Sequence, residues 1–171
     1  MKKNVVGSLL LLCFLTMLNL ACSNNNSNKN SMSTAKITTQ SFGTFEGKPV
    51  TEYTLTNGNG MQVSLINYGG TLTKIITQAK DSTWGDVITG YDSLSGYTQN
   101  GNPYFGATIG RYANRIAKGT YTVDGVVYKA AINNNGQSLH GGLKGFDKVL
   151  WDAVVLPGDS SVQLTYLSKD G

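Results

Sequence analysis

Two arginines four residues apart, Arg111 and Arg115, bracket Tyr112-Ala113-Asn114, and the chain's single histidine, His140, sits in Ser138-Leu139-His140-Gly141-Gly142. On a strand, residues i and i+4 share a face, so both guanidiniums are expected to point the same way. A fork of fixed N–H donors beside an amide suits a neutral polyol, whose hydroxyl and ring oxygens accept hydrogen bonds. The competing reading pairs one or both arginines with acids such as Asp147 or Asp152 on a sheet surface. His140 has no second histidine and no nearby cysteine with which to share a metal, so no metal site is expected. The glycines behind it let a ligand or another backbone approach closely. A lone histidine is equally open to a purely structural, hydrogen-bonded role.

The acids form no obvious catalytic pair. Asp147 and Asp152 fall near the His140 segment, Asp81 and Asp86 near a turn, and Glu46 and Glu52 near the start. None of the Gly-rich stretches follows a strand and opens a helix, so neither a phosphate-binding loop nor a dinucleotide fingerprint is present and no cofactor is expected.

The start of the chain carries targeting information. Met1-Lys2-Lys3 is a short positive segment, and Val5 to Leu18 is apolar apart from Gly7, Ser8 and Thr16. That run is too short to span a bilayer and fits the core of a signal peptide over residues 1–21. It ends in Leu18-Asn19-Leu20-Ala21-Cys22, where a small residue before a cysteine resembles a bacterial lipobox with Cys22 as the lipidated residue. Asn19 stands where leucine is usual, so an ordinary cleaved signal peptide with an incidental cysteine remains the alternative. Residues 22–36, nearly all Asn, Ser, Lys and Thr after Cys22, cannot bury apolar surface and are expected to form a flexible tether. The only other cysteine is Cys13 in the leader. Disulfides, thiol catalysis and Cys-rich metal binding are therefore not expected in the folded part. The sequence implies an exported protein, periplasmic or cell-surface, held to the membrane by a lipid anchor.

Composition points to the elements that must position the candidate residues. Charged residues are 14% of the chain, against 40% hydrophobic, with 21 glycines and 9 tyrosines. This mixture fits a turn-rich β protein. Without Lys2 and Lys3 the net charge falls from +4 to +2. No basic run interleaved with aromatics survives, which argues against a nucleic-acid partner.

From Ile37 onward short strand patterns alternate with turn signals. Tyr53 and Leu55 alternate with Glu52 and Thr54 before Asn57-Gly58-Asn59-Gly60, a hairpin signal. Met61 to Tyr68, Thr71 to Thr77 and Asp86 to Tyr91 read as further strands. Tyr121 to Val123 and Val126 to Tyr128 flank Asp124-Gly125, a two-residue hairpin turn. Trp151 to Leu156 and Val162 to Leu167 flank Pro157-Gly158-Asp159-Ser160. No segment after residue 36 shows a 3.6-residue apolar period. Such a series predicts a β-sandwich or barrel. Two Gly-rich stretches, 102–118 and 132–148, escape the alternation and hold Arg111, Arg115 and His140; loops on a rigid β scaffold are where binding residues concentrate.

At this point the motifs resemble a known family. Asn67-Tyr68-Gly69-Gly70-Thr71 and Gly90-Tyr91-Asp92 resemble the opening of aldose 1-epimerases. The run from Pro103 to Ala117, PYFGATIGRYANRIA, is more specific. The Asp124-Gly125 hairpin, Leu139-His140-Gly141-Gly142, and Gly145-Phe146-Asp147-Lys148 with Trp151 then follow in the family's order. The resemblance implies an all-β, galactose-mutarotase-like β-sandwich (supersandwich), of which residues 37–171 would be the N-terminal part. It implies interconversion of the α and β anomers of a hexose without a metal or cofactor. It implies that Asn114, Arg115 and His140 line the sugar site, with Arg111 structural. The family's acid histidine and base glutamate come from later segments, so no catalytic residue is expected within residues 1–171, and the chain is expected to be an incomplete fragment. A non-catalytic sugar-binding lipoprotein of the same fold is the rival reading. An anchored domain with only a structural role is a third.

Overall fold

The computed structural model describes residues 35–169. The expected signal peptide, Cys22 and almost all of the tether lie outside the described residues.

Five strands form an antiparallel sheet in chain order: β1 (Lys36–Phe45), β2 (Lys48–Thr56), β3 (Gln62–Ile66), β4 (Thr71–Gln78) and β5 (Trp84–Asp86). β1 starts at Lys36, paired with Thr56, one residue ahead of the expected start. The sheet is a meander because each connection is short and β1 to β4 are rich in Thr, Val, Ile and Leu, which favour the pleat. Its buried face is not the one that the alternation of Tyr53 and Leu55 suggests. Val50 and Glu52 are buried, whereas Tyr53 and Leu55 are half-buried on the opposite side. Glu52 tolerates burial because its carboxylate accepts bonds from Gln40 Nε2 and from Thr73 Oγ1, the latter at 2.6 Å. Thr54 and Ser64 join hydroxyls across β2 and β3 at 2.8 Å. A buried carboxylate needs such partners, and this layer supplies them.

The core is Val50, Ile66, Tyr68, Leu94 and Tyr97, with Phe42, Phe45, Tyr91 and Leu150 packed against it. Leu94 and Tyr97 come from α1 (Leu94–Thr98), a single turn too short to show a helical period in sequence. The Tyr97 hydroxyl accepts the Tyr91 N–H at 2.9 Å. Burial raises the phenol pKa of Tyr97 above 10.0, and the carboxylates of Glu52, Asp92 and Asp86 push the same way against the Tyr91 hydrogen bond.

The expected strand over Asp86 to Tyr91 does not form. β5 ends at Asp86, whose carboxylate takes the backbone N–H groups of Ile75 at 3.0 Å and Ile88 at 3.2 Å. A side chain thereby replaces the ladder partner and stops the pairing. Beyond the main sheet lie three two-stranded pieces. β6 (Arg115–Ile116) pairs with β9 (Ser138–Leu139), β7 (Thr120–Val123) with β8 (Val126–Lys129), and β10 (Asp152–Val155) with β11 (Val162–Thr165). Asp124 and Gly125 both have positive φ, 48° and 81°, as a type I′ turn requires. The Asn57-Gly60 connection is longer than a two-residue turn. There Asn57 Oδ1 accepts the N–H groups of Asn59 and Met61, both at 3.0 Å.

Candidate functional site

The turn between β3 and β4 carries the loops that hold the candidate residues. Gly69 N–H donates to Val149 O at 2.8 Å, and Trp151 N–H to Asn67 O at 2.9 Å. From the other side, Thr108 N–H donates to Gly69 O at 3.0 Å and its hydroxyl to Gly70 O at 2.8 Å. Gly69 has φ +67°, and a Cβ there would collide with the Asp147 carbonyl oxygen and the Thr71 hydroxyl. Only glycine meets both demands. The Asn67-Tyr68-Gly69-Gly70-Thr71 motif is thus a junction that pins two distant loops to the β3–β4 turn.

Those loops interlock at the candidate residues. Asn114 N–H donates to His140 Nδ1 and His140 N–H to Asn114 O, both at 3.0 Å. Arg115 then pairs with Leu139 in the β6–β9 ladder. Because Nδ1 accepts a hydrogen bond, the neutral imidazole carries its proton on Nε2 and presents a donor there. Arg115 is held by amides: its Nε and Nη2 both donate to Asn134 Oδ1 at 3.2 Å, and its Nη1 to Asn114 Oδ1 at 3.3 Å. Each guanidinium NH2 keeps a further N–H for a ligand. Asn114 and Arg115 are exposed and His140 is half-buried. The three expected site residues therefore meet in one accessible patch.

The two arginines do not share a face. Arg111 lies in a bend, and its Nε and Nη2 donate to Ser168 Oγ at 3.0 and 2.6 Å, with a further bond to the Lys169 carbonyl. Asn114, at φ +63°, turns the chain between them, so the i, i+4 rule for a strand does not apply. Neither arginine pairs with an acid. Asp147 instead holds Lys148, Oδ2 to Nζ at 2.9 Å, the one ion pair among the described residues. The glycines after His140 make room for backbone: a Cβ on Gly141 would strike the Gly110 carbonyl oxygen.

Sequence reasoning missed three contributors. Asn133 pins the His140 loop, donating through Nδ2 to Leu139 O and Gly142 O at 2.9 Å each and accepting Leu139 N–H at 2.7 Å. Asn134 holds Arg115. Tyr104 sets its ring edge-on to His140, with centroids 4.7 Å apart. The amide run Asn133-Asn134-Asn135 was the available signal; Tyr104 stands inside the Pro103 to Ala117 run, but nothing there tied it to His140.

A hollow of about 360 Å³ borders Asn114, Ser138, Gly141 and Gly142, and a second of about 400 Å³ borders Arg115 and Tyr112. The two hollows share Tyr112, Ile116 and Tyr121 in their walls, and His140 borders neither. In the core, burial raises the pKa of Tyr68, with the charges of Asp147 and Glu46 adding to it. Among the described residues no three His, Cys, Asp or Glu side chains converge as metal ligands would.

A family profile described as aldose 1-epimerase matches residues 51–171. Galactose mutarotases of Bos taurus and Homo sapiens are 50% and 49% identical over 111 residues, covering 65% of this chain and 32% of each relative. The crystal structure of galactose 1-epimerase from Lactobacillus acidophilus NCFM matches with a TM-score of 0.67 and 30% identity, over 80% of this chain and 40% of that one. An aldose epimerase homologue from C. elegans matches with a TM-score of 0.52 and 32% identity, over 56% of this chain and 29% of that one. The all-β fold is shared with galactose epimerases over the part that aligns. The chain spans about a third of the length of the curated relatives it matches.

Proposed function

The chain belongs to the aldose 1-epimerase family, and on that premise we propose that it carries one sugar-holding wall of an enzyme that interconverts the α and β anomers of hexoses such as galactose and glucose. What supports this most is the meeting of Asn114, Arg115 and His140 in one accessible patch, joined by the pair of hydrogen bonds between Asn114 and His140. A pyranose offers a ring of hydroxyl and ring-oxygen acceptors. The patch offers matching donors: the free N–H groups of Arg115, the Nε2–H of His140 and the Asn114 amide.

The chemistry asks for more than donors. A base takes the proton from the C1 hydroxyl as an acid protonates the ring oxygen; the C1–O5 bond breaks, rotation about C1–C2 exposes the other aldehyde face, and the steps reverse. Acid and base must face each other with matched pKa values across the ring. The chain's one histidine already uses Nδ1 as an acceptor. Its remaining donor suits a hydroxyl or ring oxygen. We assign the acid/base pair to segments outside residues 1–171, a histidine and a glutamate by the family resemblance.

Polarimetry of freshly dissolved α-D-galactose and α-D-glucose tests both parts. Residues 22–171 alone are expected to leave the rate of approach to equilibrium rotation unchanged. A chain continuing past Gly171 with the later segments of the longer relatives is expected to accelerate it. Turnover by residues 22–171 would sink the missing-pair argument. A folded, extended protein that binds hexose without turnover would favour the non-catalytic sugar-binding reading.

The N-terminal motif extends the proposal to location. A signal peptide over residues 1–21, a lipidated Cys22 and a polar tether would hold the sugar domain at a membrane surface on the exported side. Cys22→Ala is expected to abolish incorporation of labelled palmitate; undiminished incorporation would remove the anchor.

A further inference from the structure

Asn114, Tyr104 and His140 share an unusual backbone state, with φ of 63°, 65° and 54°. Left-handed conformations are uncommon outside glycine and rarer still for large side chains. Their clustering at one spot marks a place where the surrounding structure overrides local preference. Loop packing alone accounts for Asn114 and His140, which exchange hydrogen bonds. Tyr104 is held in the same conformation by its own turn, its N–H donating to Asn102 Oδ1 at 3.1 Å and its carbonyl accepting Ala107 N–H at 3.2 Å, and that turn delivers its ring to His140.

The Tyr104 ring meets the His140 ring edge-on at 70°, with centroids 4.7 Å apart. On the Tyr104 ring rests the ammonium of Lys148, 5.3 Å from the centroid. Lys148 is fixed in turn by Asp147, whose side chain is 8% exposed and whose Oδ1 has no hydrogen-bond partner in the protein. Asp147, Lys148, Tyr104 and His140 thus form a continuous array that ends on the imidazole ring. With the Asn114 N–H on Nδ1, the ring is held at two points: the hydrogen bond selects the tautomer, and the Tyr104 ring keeps the imidazole at the tilt that this bond needs.

We infer that Tyr104 is a positioning residue for His140, steered by the Lys148–Asp147 pair, so that the Nε2–H donor points at a bound hexose rather than rotating about χ2. The part about hexose rests on the proposed function; the part about the imidazole does not. Edge-to-face ring contact and an ammonium over a tyrosine ring are both attractive and both directional.

The chain's one histidine makes the test direct, since every imidazole signal belongs to His140. Long-range 1H–15N spectra at about pH 8, where an ordinary imidazole is neutral, are expected to show one protonated and one unprotonated ring nitrogen, with a ring proton shifted upfield by Tyr104. Tyr104→Phe is expected to preserve this pattern. Tyr104→Leu is expected to remove the upfield shift, to average the two nitrogen signals and to weaken galactose binding by about 2- to 10-fold. Lys148→Gln, which keeps a donor for Asp147, is expected to fall between them and serves if Tyr104→Leu does not fold. Unchanged His140 signals in the Leu variant, or equal losses in Phe and Leu variants, would overturn the inference. If the spectra change as expected while the wild-type chain binds no hexose, the positioning role stands and the sugar site falls.

Discussion

In the proposed sugar site Arg115 is expected to contribute most to binding, because it alone in the patch carries a permanent charge with free N–H donors. Arg115→Ala is expected to weaken galactose binding by about 1–3 kcal/mol, the range for losing a hydrogen bond of this kind, as read by calorimetric titration with galactose. Asn134→Ala is expected to cost less, about 0.5–1.5 kcal/mol, since Asn114 Oδ1 still holds one arm of the guanidinium. An Asn134 effect as large as that of Arg115 would mean the amide itself touches sugar. Asn114, Arg115 and His140 were legible in the sequence because each stands in a long motif. The roles of Asn133, Asn134 and Tyr104 were not, since each acts across a fold contact; Tyr104 shares a motif with Asn114, but its reach to His140 is visible only in the fold. Asn134 reaches Arg115 over 19 positions, and composition shows only a run of amides.

At the scale of elements, hairpins were legible wherever turn chemistry is local. Asp124-Gly125 reads directly into a type I′ turn. The failures came where a side chain or a tertiary contact decides. Asp86 ended β5 by taking ladder donors, and α1 exists because Leu94 and Tyr97 fill the core rather than because five residues prefer helix. The face of β2 was misleading for the same reason: Thr73 and Gln40 make Glu52 acceptable inside, and neither is adjacent to it in sequence. The Gly-rich loops carry a sharper expectation. Gly141 sits at φ +88° against the Gly110 carbonyl, so Gly141→Ala is expected to destabilise the protein by about 1–3 kcal/mol and to release the His140 loop, measured by urea unfolding and by loss of the upfield His140 signal. Gly136→Ala, also at positive φ but with open space around it, is expected to leave the His140 signal in place.

The tyrosines give the sheet and α1 a pH signature. Tyr68 and Tyr97 both have pKa values raised above 10.0 by burial. Above pH 10 the unfolded chain releases phenolic protons that the folded chain still holds, so stability is fully present below that value and falls as pH rises through it. Urea midpoints between about pH 9 and pH 11 are expected to decline, and Tyr97→Phe to decline less steeply from a lower start. A midpoint that rises over this interval would contradict the burial of these phenols.

For the whole molecule, the central claim is that a family member spanning about a third of its relatives' length nonetheless presents an assembled hexose wall. The sheet, the Gly69–Gly70 junction and the interlocked loops that make up the proposed wall all lie within residues 35–169. The acid and base that would complete the chemistry are assigned elsewhere. Wall and catalysis are thus separable, and the wall can be tested on this chain. The most direct measurement is a two-dimensional 1H–15N NMR titration of residues 22–171 with galactose, following the Asn114 amide, the Arg115 Nε–H and the His140 ring. Saturable shifts confined to these groups and their loop neighbours are predicted, and they should be lost in Arg115→Ala. Saturable shifts centred elsewhere, or none at any galactose concentration with the fold intact, would contradict the account.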